Sequence, residues 1–356
     1  MRIAVAMSGG VDSSVVAGLM AQEGHEVIGM TLQLYDHGAA AGRKGACCAG
    51  QDIFDAKRVA DRLGIAHYVV DAEARFRKSV MAAFADAYAA GQTPVPCIAC
   101  NQHLKFGDLL EMARDFGAEA LATGHYVRRV DGADGPELHQ AADAARDQSW
   151  FLFATTREQL EFCRFPLGDI RDKAVVRALA AEMGLGVAEK PDSQDICFVP
   201  SGSYADIVEK FRPDALAAGE IVTESGEVVG THRGIARYTV GQSKRLGNAA
   251  QIGGEAMAVR KIEPGTRRIV IGPRAPASRE IRLRDMNWLI PAPAGTLRAR
   301  VKLRAGDAPR DTEILPGETG ARLLLDEPAL AAPGQAAVFY EGDEVLGGGT
   351  IVGGAS

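Results

Sequence analysis

The string Ser8-Gly9-Gly10-Val11-Asp12-Ser13-Ser14, set between the apolar run Ile3-Ala4-Val5-Ala6-Met7 and a helical pattern over 15–22, constrains this chain more than any other feature. A strand that delivers a glycine-serine turn straight into a helix brings backbone N–H groups and hydroxyls together where the helix dipole favours an anion. The loop lacks the lysine of the Gly-x-x-x-x-Gly-Lys-Ser/Thr phosphate loop, so the usual grip on β and γ phosphates is missing and the loop suits pyrophosphate. A serine-capped helix after a tight turn is the plain alternative, and the whole string directly behind a first strand weighs against it.

Beyond the loop, apolar runs alternate with helical patterns: a strand over 26–34, a helix over 51–63, a strand over 67–71, helices to 91, a helix over 104–116 and a strand over 120–123. That alternation predicts an α/β fold built on a doubly wound parallel sheet. Its ligand site belongs at the carboxyl ends of the strands, where the Ser-Gly-Gly loop, Leu32 and Thr123-Gly124-His125-Tyr126 fall. From Gly219 the texture changes to short alternating segments with frequent Gly and Pro, over 220–229, 257–262, 268–271 and 297–303, which read as antiparallel β in one or two small barrels. The resulting division is a catalytic domain over 1–211, a central domain over 212–273 and a C-terminal β-barrel over 274–356.

At 356 residues and 47% hydrophobic content, the chain has material for two or three cores. No run is long enough to span a bilayer and the N-terminus reads as a strand, not a signal peptide, which predicts a cytoplasmic protein with no membrane partner. The net charge of −6 argues against a nucleic-acid partner until its distribution is considered: residues 233–310 carry 17 Lys and Arg against 5 Asp and Glu. A basic segment on an acidic chain is what a polyanion-binding face looks like, and a solvated basic surface without a partner is the alternative.

Six cysteines at uneven spacing do not make a disulfide framework, so each is weighed singly. Cys97 and Cys100 stand in Pro94-Val95-Pro96-Cys97-Ile98-Ala99-Cys100-Asn101, a proline-fixed loop ahead of a helix, where the dipole would stabilise a Cys100 thiolate. Cys197 lies in the polar stretch Pro191-Asp192-Ser193-Gln194-Asp195-Ile196-Cys197-Phe198-Val199, odd surroundings for a core cysteine. Cys163, inside the apolar segment 160–165, reads as a small buried hydrophobe. Cys47 and Cys48, ahead of a helix near Gln51, are as well read as loop thiols as reactive ones.

These ordered motifs, with Lys105-Phe106, Asp147-Gln148-Ser149, Lys190, Gly230-Thr231-His232, Tyr238-Thr239-Val240-Gly241-Gln242 and Gly334-Gln335-Ala336-Ala337-Val338-Phe339-Tyr340, resemble the tRNA-specific 2-thiouridylase family over almost the whole chain. The resemblance implies an N-terminal pyrophosphate-loop ATPase domain, a small central domain and a C-terminal β-barrel that binds tRNA. It implies a tRNA-uridine 2-sulfurtransferase that uses ATP and Mg²⁺, with ATP on Ala6, Met7, Ser8, Gly9, Gly10, Val11, Asp12 and Ser13 and with Leu32 and Gly124 near the adenosine. Uracil O2 would attack the α-phosphorus, and sulfur would then displace AMP. Cys197 would carry that sulfur as a persulfide from a donor, a cysteine desulfurase or a relay protein, and Cys100 would resolve it, the two ending as a disulfide. Val95, Pro96 and Cys97, with Arg146, Asp147 and Gln148, would hold the flipped nucleotide, and His125, Arg304 and Gln335 would add tRNA contacts.

The chain departs from the family at two points. Three positions before the catalytic cysteine, where the best-known members have aspartate, stands Cys97. Cys97, Cys100 and Cys197 could then hold three irons of a [4Fe–4S] cluster and leave the fourth open to sulfide. The alternative, held slightly ahead, is a spare Cys97 beside an unchanged persulfide route. A zinc site with His103 as fourth ligand answers no catalytic need. Ala305 follows Arg304 where the family has tyrosine, which weakens that tRNA contact. Two other functions fit part of the sequence: a pyrophosphate-loop sulfurtransferase or amide synthetase for small molecules would need neither paired cysteines nor a basic barrel, and a non-catalytic RNA-binding protein would tolerate loss of both cysteines.

Overall fold

The computed structural model describes residues 1–34, 48–192, 196–199, 203–273 and 278–354. The first four strands are β1 (Arg2–Ala6), β2 (Glu26–Gln33), β3 (Ala66–Asp71) and β4 (Ala120–Thr123). After a hairpin, β5 (Val127–Gly132) and β6 (Gly135–Gln140), the chain returns to the same sheet as the two-residue β7 (Cys163–Arg164). The sheet runs β3-β2-β1-β4-β7 and every pairing in it is parallel.

Ile3, Ala4 and Val5 are all buried because helices cover both faces, and this is why a central parallel strand reads as a continuous apolar run. Alternate side chains serve opposite layers. Ile3 and Val5 meet Val15, Val16, Val59 and Val176 from the helices Val11–Gln22, Cys48–Leu63 and Lys173–Glu182. Ala4, Ile28 and Leu121 meet Phe106, Leu109 and Leu110 on the other side. That second layer is a helical path starting at Pro96, eight residues before the sequence pattern suggests, because proline at the first helical position is already set for the turn. It passes through a π-helical stretch, Asn101–Asp108, before finishing as Leu109–Asp115.

The central β segment contains β8 (Gly219–Thr223), β9 (Val228–His232), β10 (Gln251–Ile252), β11 (Glu255–Glu263) and β12 (Arg268–Pro273), in the order β10-β11-β12-β8-β9 around Ile221, Val259, Ile269 and Ile271. The last six strands are β13 (Ser278–Trp288), β14 (Leu297–Lys302), β15 (Arg310–Pro316), β16 (Gly320–Ala329), β17 (Ala336–Glu341) and β18 (Glu344–Gly354). They close into a barrel through the β13–β18 pairing. Along β14, Ala299 and Val301 face the barrel core while Arg298 and Arg300 stand exposed, so the alternation puts basic residues on the outer face.

One connection was not legible from the pattern. The hairpin β5–β6 leaves the parallel sheet and extends the barrel sheet, with His139 opposite Glu344 on β18. His139 bridges Glu137 at 2.9 Å and Asp343 at 3.1 Å, and Arg128 also reaches Asp343. Among the described residues, no helix is long and apolar enough to cross a membrane.

Candidate nucleotide and thiol site

The loop after β1 is held open by its backbone. Met7 N–H donates to the Met30 carbonyl at 2.8 Å, and Gly9 takes φ +76°, where a Cβ would also run into the Asp52 backbone. Gly10 caps the helix Val11–Gln22 with no side-chain hydrogen bond, so no capping side chain occupies the first-turn N–H groups. The hydroxyls bond within the loop. Ser8 N–H donates to Ser13 Oγ at 3.0 Å, the Ser8 and Ser13 hydroxyls lie 3.2 Å apart, and Ser14 Oγ donates to the Gly10 carbonyl at 2.8 Å. They stitch the loop to itself. A Cβ on Gly124 would stand 2.9 Å from the Ser13 nitrogen, so the end of β4 can lie against this turn only as glycine. Ala6 and Leu32, on the neighbouring strand ends, are part-buried.

Charge around the loop comes from far along the chain. Asp12 receives Lys173 Nζ at 2.6 Å on both oxygens and the Tyr126 hydroxyl at 2.7 Å. Burial and Asp12 together push the Tyr126 phenol well above its ordinary value. Lys173 also reaches Asp192 at 3.0 Å, and Asp192 takes Arg146 at 3.1 Å and Arg177 at 3.5 Å. Burial raises the Asp192 pKa, but Lys173 and Arg146 outweigh it and hold the carboxyl below its usual range. Lys190 donates to the Gly9 carbonyl at 2.9 Å, to Asp52 at 2.7 Å and to Asp55 at 2.6 Å. Lys173 was no sequence candidate, although a cation at the first position of a helix opposes the dipole, a local conflict that could have marked it.

The thiols lie by the aromatic cluster of Phe76, Phe84 and Phe198, in which Cys100 is packed. Cys97 and Cys197 are exposed and Cys100 is buried. Burial pushes the Cys100 thiol up to about 11, with Cys197 and Cys97 raising it further and Lys105 pulling the other way. The expected dipole-stabilised thiolate at Cys100 is therefore corrected: Pro96 and Cys97 occupy the helix start, Cys100 lies a turn further in, and desolvation wins. Phe198 anchors the Cys197 segment, its ring 5.6 Å from that of Phe76 and 5.4 Å from that of Phe84. Among the described residues no three His, Cys, Asp or Glu side chains meet to hold a metal ion. Cys97, Cys100 and Cys197 fall in no such group, and neither does His103. Cys163 is fully buried and pushed up to about 12 by burial, as a core thiol should be. Cys47 and the Cys48 side chain, with Ser193, Gln194 and Asp195, lie outside the described residues.

The residues assigned to RNA divide by position. Val95 is part-buried, Pro96 buried and Cys97 exposed at the mouth of the thiol helix. His125 Nδ1 lies 2.8 Å from Thr123 Oγ1 and its Nε2 3.4 Å from Lys105 Nζ, and burial drives the ring's pKa far down, leaving it neutral. Asp147 is turned inward, accepting from the backbone of Ala141 and Ser149 and from the Ser149 hydroxyl. Gln148 accepts from Tyr126 N–H at 2.9 Å. Arg304 is exposed on the barrel, and Gln335 donates to the Thr93 carbonyl at 2.9 Å.

Three family descriptions match successive parts of the chain: a tRNA methyl transferase HUP domain over residues 1–201, a tRNA methyl transferase PRC-barrel domain over 205–273 and an aminomethyltransferase beta-barrel domain over 278–351. The tRNA-specific 2-thiouridylase of Acidiphilium cryptum is 68% identical over 353 residues, covering 99% of this chain and 100% of its own length. That of Gluconobacter oxydans is 63% identical, with 99% of each chain covered, and that of Rhodospirillum centenum is 55% identical, covering 99% of this chain and 91% of its own.

Proposed function

This chain belongs to the tRNA-specific 2-thiouridylase family, and from that premise we propose that it activates the wobble uridine of tRNA with ATP and exchanges the activated oxygen for sulfur, giving 2-thiouridine. ATP is a substrate here. Its phosphates meet the N–H groups of the turn from Gly9 to Ser13, and its adenosine lies by Ala6, Met7, Leu32 and Gly124. Uracil O2 attacks the α-phosphorus, the bond from that phosphorus to the bridging oxygen breaks, and pyrophosphate leaves with the electron pair. Asp12, the only carboxylate of the loop, is the group to hold Mg²⁺, which would neutralise charge on the departing pyrophosphate.

Sulfur then comes from a donor of the desulfurase or relay type and rests on Cys197 as a persulfide. Its terminal sulfur attacks C2, and AMP departs with the former O2. The Cys100 sulfur attacks the Cys197 sulfur as its proton passes to the departing base, which frees the thiolated base and leaves a Cys100–Cys197 disulfide for a thiol reductant to reopen. Cys97 stays a spectator thiol. The exposed basic face of the barrel, Arg304 included, takes the tRNA backbone, while Val95, Pro96, Cys97 and the Arg146–Gln148 turn border the flipped base. The units over 1–211, 212–273 and 274–356 divide chemistry from RNA binding, and the reaction belongs to a reducing cytoplasm.

The observation that carries this reading is that Cys100 and Phe198, the neighbour of Cys197, pack in one buried cluster, while Lys190 bonds the glycine loop at Gly9. The test is 2-thiouridine formation, read by mass spectrometry of digested tRNA, with enzyme purified without oxygen and supplied with ATP and a persulfide donor. Cys197→Ser should abolish the product and keep tRNA-dependent pyrophosphate release. Thiolation at the parent rate in that variant would overturn the reading.

A further inference from the structure

The glycine loop carries no basic residue, yet a triphosphate needs cationic charge where pyrophosphate departs. We infer that Lys173 supplies it: with ATP on the loop, the Lys173 ammonium exchanges Asp12 for the oxygen that bridges the α and β phosphates. The inference rests on the ATP-dependent reading above.

Lys173 is only 7% exposed and is held by three carboxylate oxygens, two from Asp12 at 2.6 Å and one from Asp192 at 3.0 Å, with its nitrogen 5.6 Å from the Tyr126 ring centre. A desolvated ammonium between two carboxylates gives little net stability, and its place at the first position of the helix Lys173–Glu182 works against the dipole. Neither packing nor propensity accounts for it. Asp12 is the second residue of the helix whose free N–H groups face the loop, so an ammonium on that carboxylate stands at the edge of the phosphate site.

The exchange leaves no charge stranded. Asp192 keeps Arg146 at 3.1 Å and Arg177 at 3.5 Å, and Asp12 keeps the Tyr126 hydroxyl at 2.7 Å while gaining freedom to meet Mg²⁺. No proton moves. As the bond between the α-phosphorus and the bridging oxygen breaks, the pair passes to that oxygen, and a Lys173 N–H donates a hydrogen bond to it. Lys190 is different: the Gly9 carbonyl and the carboxylates of Asp52 and Asp55 occupy it, so it positions the loop and remains where it is.

The experiment compares the full-length parent with Lys173→Met and Lys173→Arg in two readouts: calorimetric binding of inorganic pyrophosphate with Mg²⁺, and tRNA-dependent pyrophosphate release from ATP. Lys173→Met should bind pyrophosphate at least about tenfold more weakly, as loss of a charge-assisted hydrogen bond implies. Its kcat for release should fall roughly a hundredfold. Lys173→Arg, which retains the charge and guards against a simple folding defect, should recover part of both. Binding and release within threefold of the parent in Lys173→Met, or an Arg variant as impaired as the Met variant, would overturn the inference. A parent that binds pyrophosphate through Lys173 but makes no 2-thiouridine would instead sink the tRNA reading and leave Lys173 its role.

Discussion

Gln335 donates its side-chain amide to the carbonyl of Thr93 at 2.9 Å, and Thr93 returns its own N–H to the Pro333 carbonyl at 2.7 Å. A turn of the C-terminal barrel therefore braces the strap that leads into the thiol helix at Pro96. The family resemblance assigns Gln335 to RNA, and its geometry also makes it a brace between the barrel and the site. Between them, Gly334 lies so close that a Cβ would stand 2.9 Å from the Thr93 nitrogen.

Gln335→Ala should accordingly remove about 1 kcal/mol of hydrogen bonding and slow single-turnover thiolation roughly tenfold by misplacing the thiol helix. Affinity for tRNA, measured by filter binding, should stay near the parent value. Weaker tRNA binding at an unchanged chemical rate would return Gln335 to the RNA surface.

Cys163 lies in the core with no exposed surface, so neither the tRNA nor a sulfur donor can reach its thiol. Cys163→Ala should lower stability by about 1 kcal/mol through the small cavity left behind. Thiolation per folded molecule should be unchanged, and a deeper loss of activity at a matched melting temperature would contradict this.

The two loop glycines should differ sharply. Gly9→Ala places a Cβ at positive φ against the Asp52 backbone, which should cost about 2 kcal/mol or more and prevent ATP binding. Gly10 is extended, with φ −89° and ψ 168°, and a Cβ there would lie an ordinary 3.5 Å from Ser8 Oγ. Gly10→Ala should fold with near-parent stability. Thermal melting with and without ATP separates the two.

The latch between hairpin and barrel has a pH dependence of fixed sign. Burial raises the Asp343 pKa, but His139 and Arg128 outweigh it and leave the carboxyl below its usual value. A depressed carboxyl gives stability that is present above its unfolded value, near 4, and is lost as pH falls through the lower folded value. Asp343→Asn should be the less stable protein at neutral pH, by at most about 1 kcal/mol for so exposed a pair, and the gap should close in acid. Melting temperatures from pH 7 down to pH 3 test it, and a gap that widens in acid would refute it.

What was legible in the sequence was local. The run from Ile3 to Met7, the glycine-serine turn and the strand at 120–123 announce themselves because a buried parallel strand and a tight turn each leave a mark within a few residues. The partners of Lys173 and Lys190 could not be read locally, since Asp12 and Gly9 lie 161 and 181 residues away. The π-helical stretch Asn101–Asp108 escaped because a 3.6-residue period is blind to a wider turn. Burial of Cys100 escaped too, since whether a thiol near a helix start meets water depends on what covers it, here the cluster of Phe76, Phe84 and Phe198.

The hairpin β5–β6 also bears on how the molecule is made. Two strands emerge early in synthesis, yet β6 pairs with β18, so His139 must wait some two hundred residues for its neighbour Glu344. Until then the hairpin presents an unpaired edge to solvent and to other nascent chains. Pairings this distant in sequence are slow to form. The catalytic half cannot be finished by itself, and chaperone dependence during translation should track the arrival of the last barrel strand.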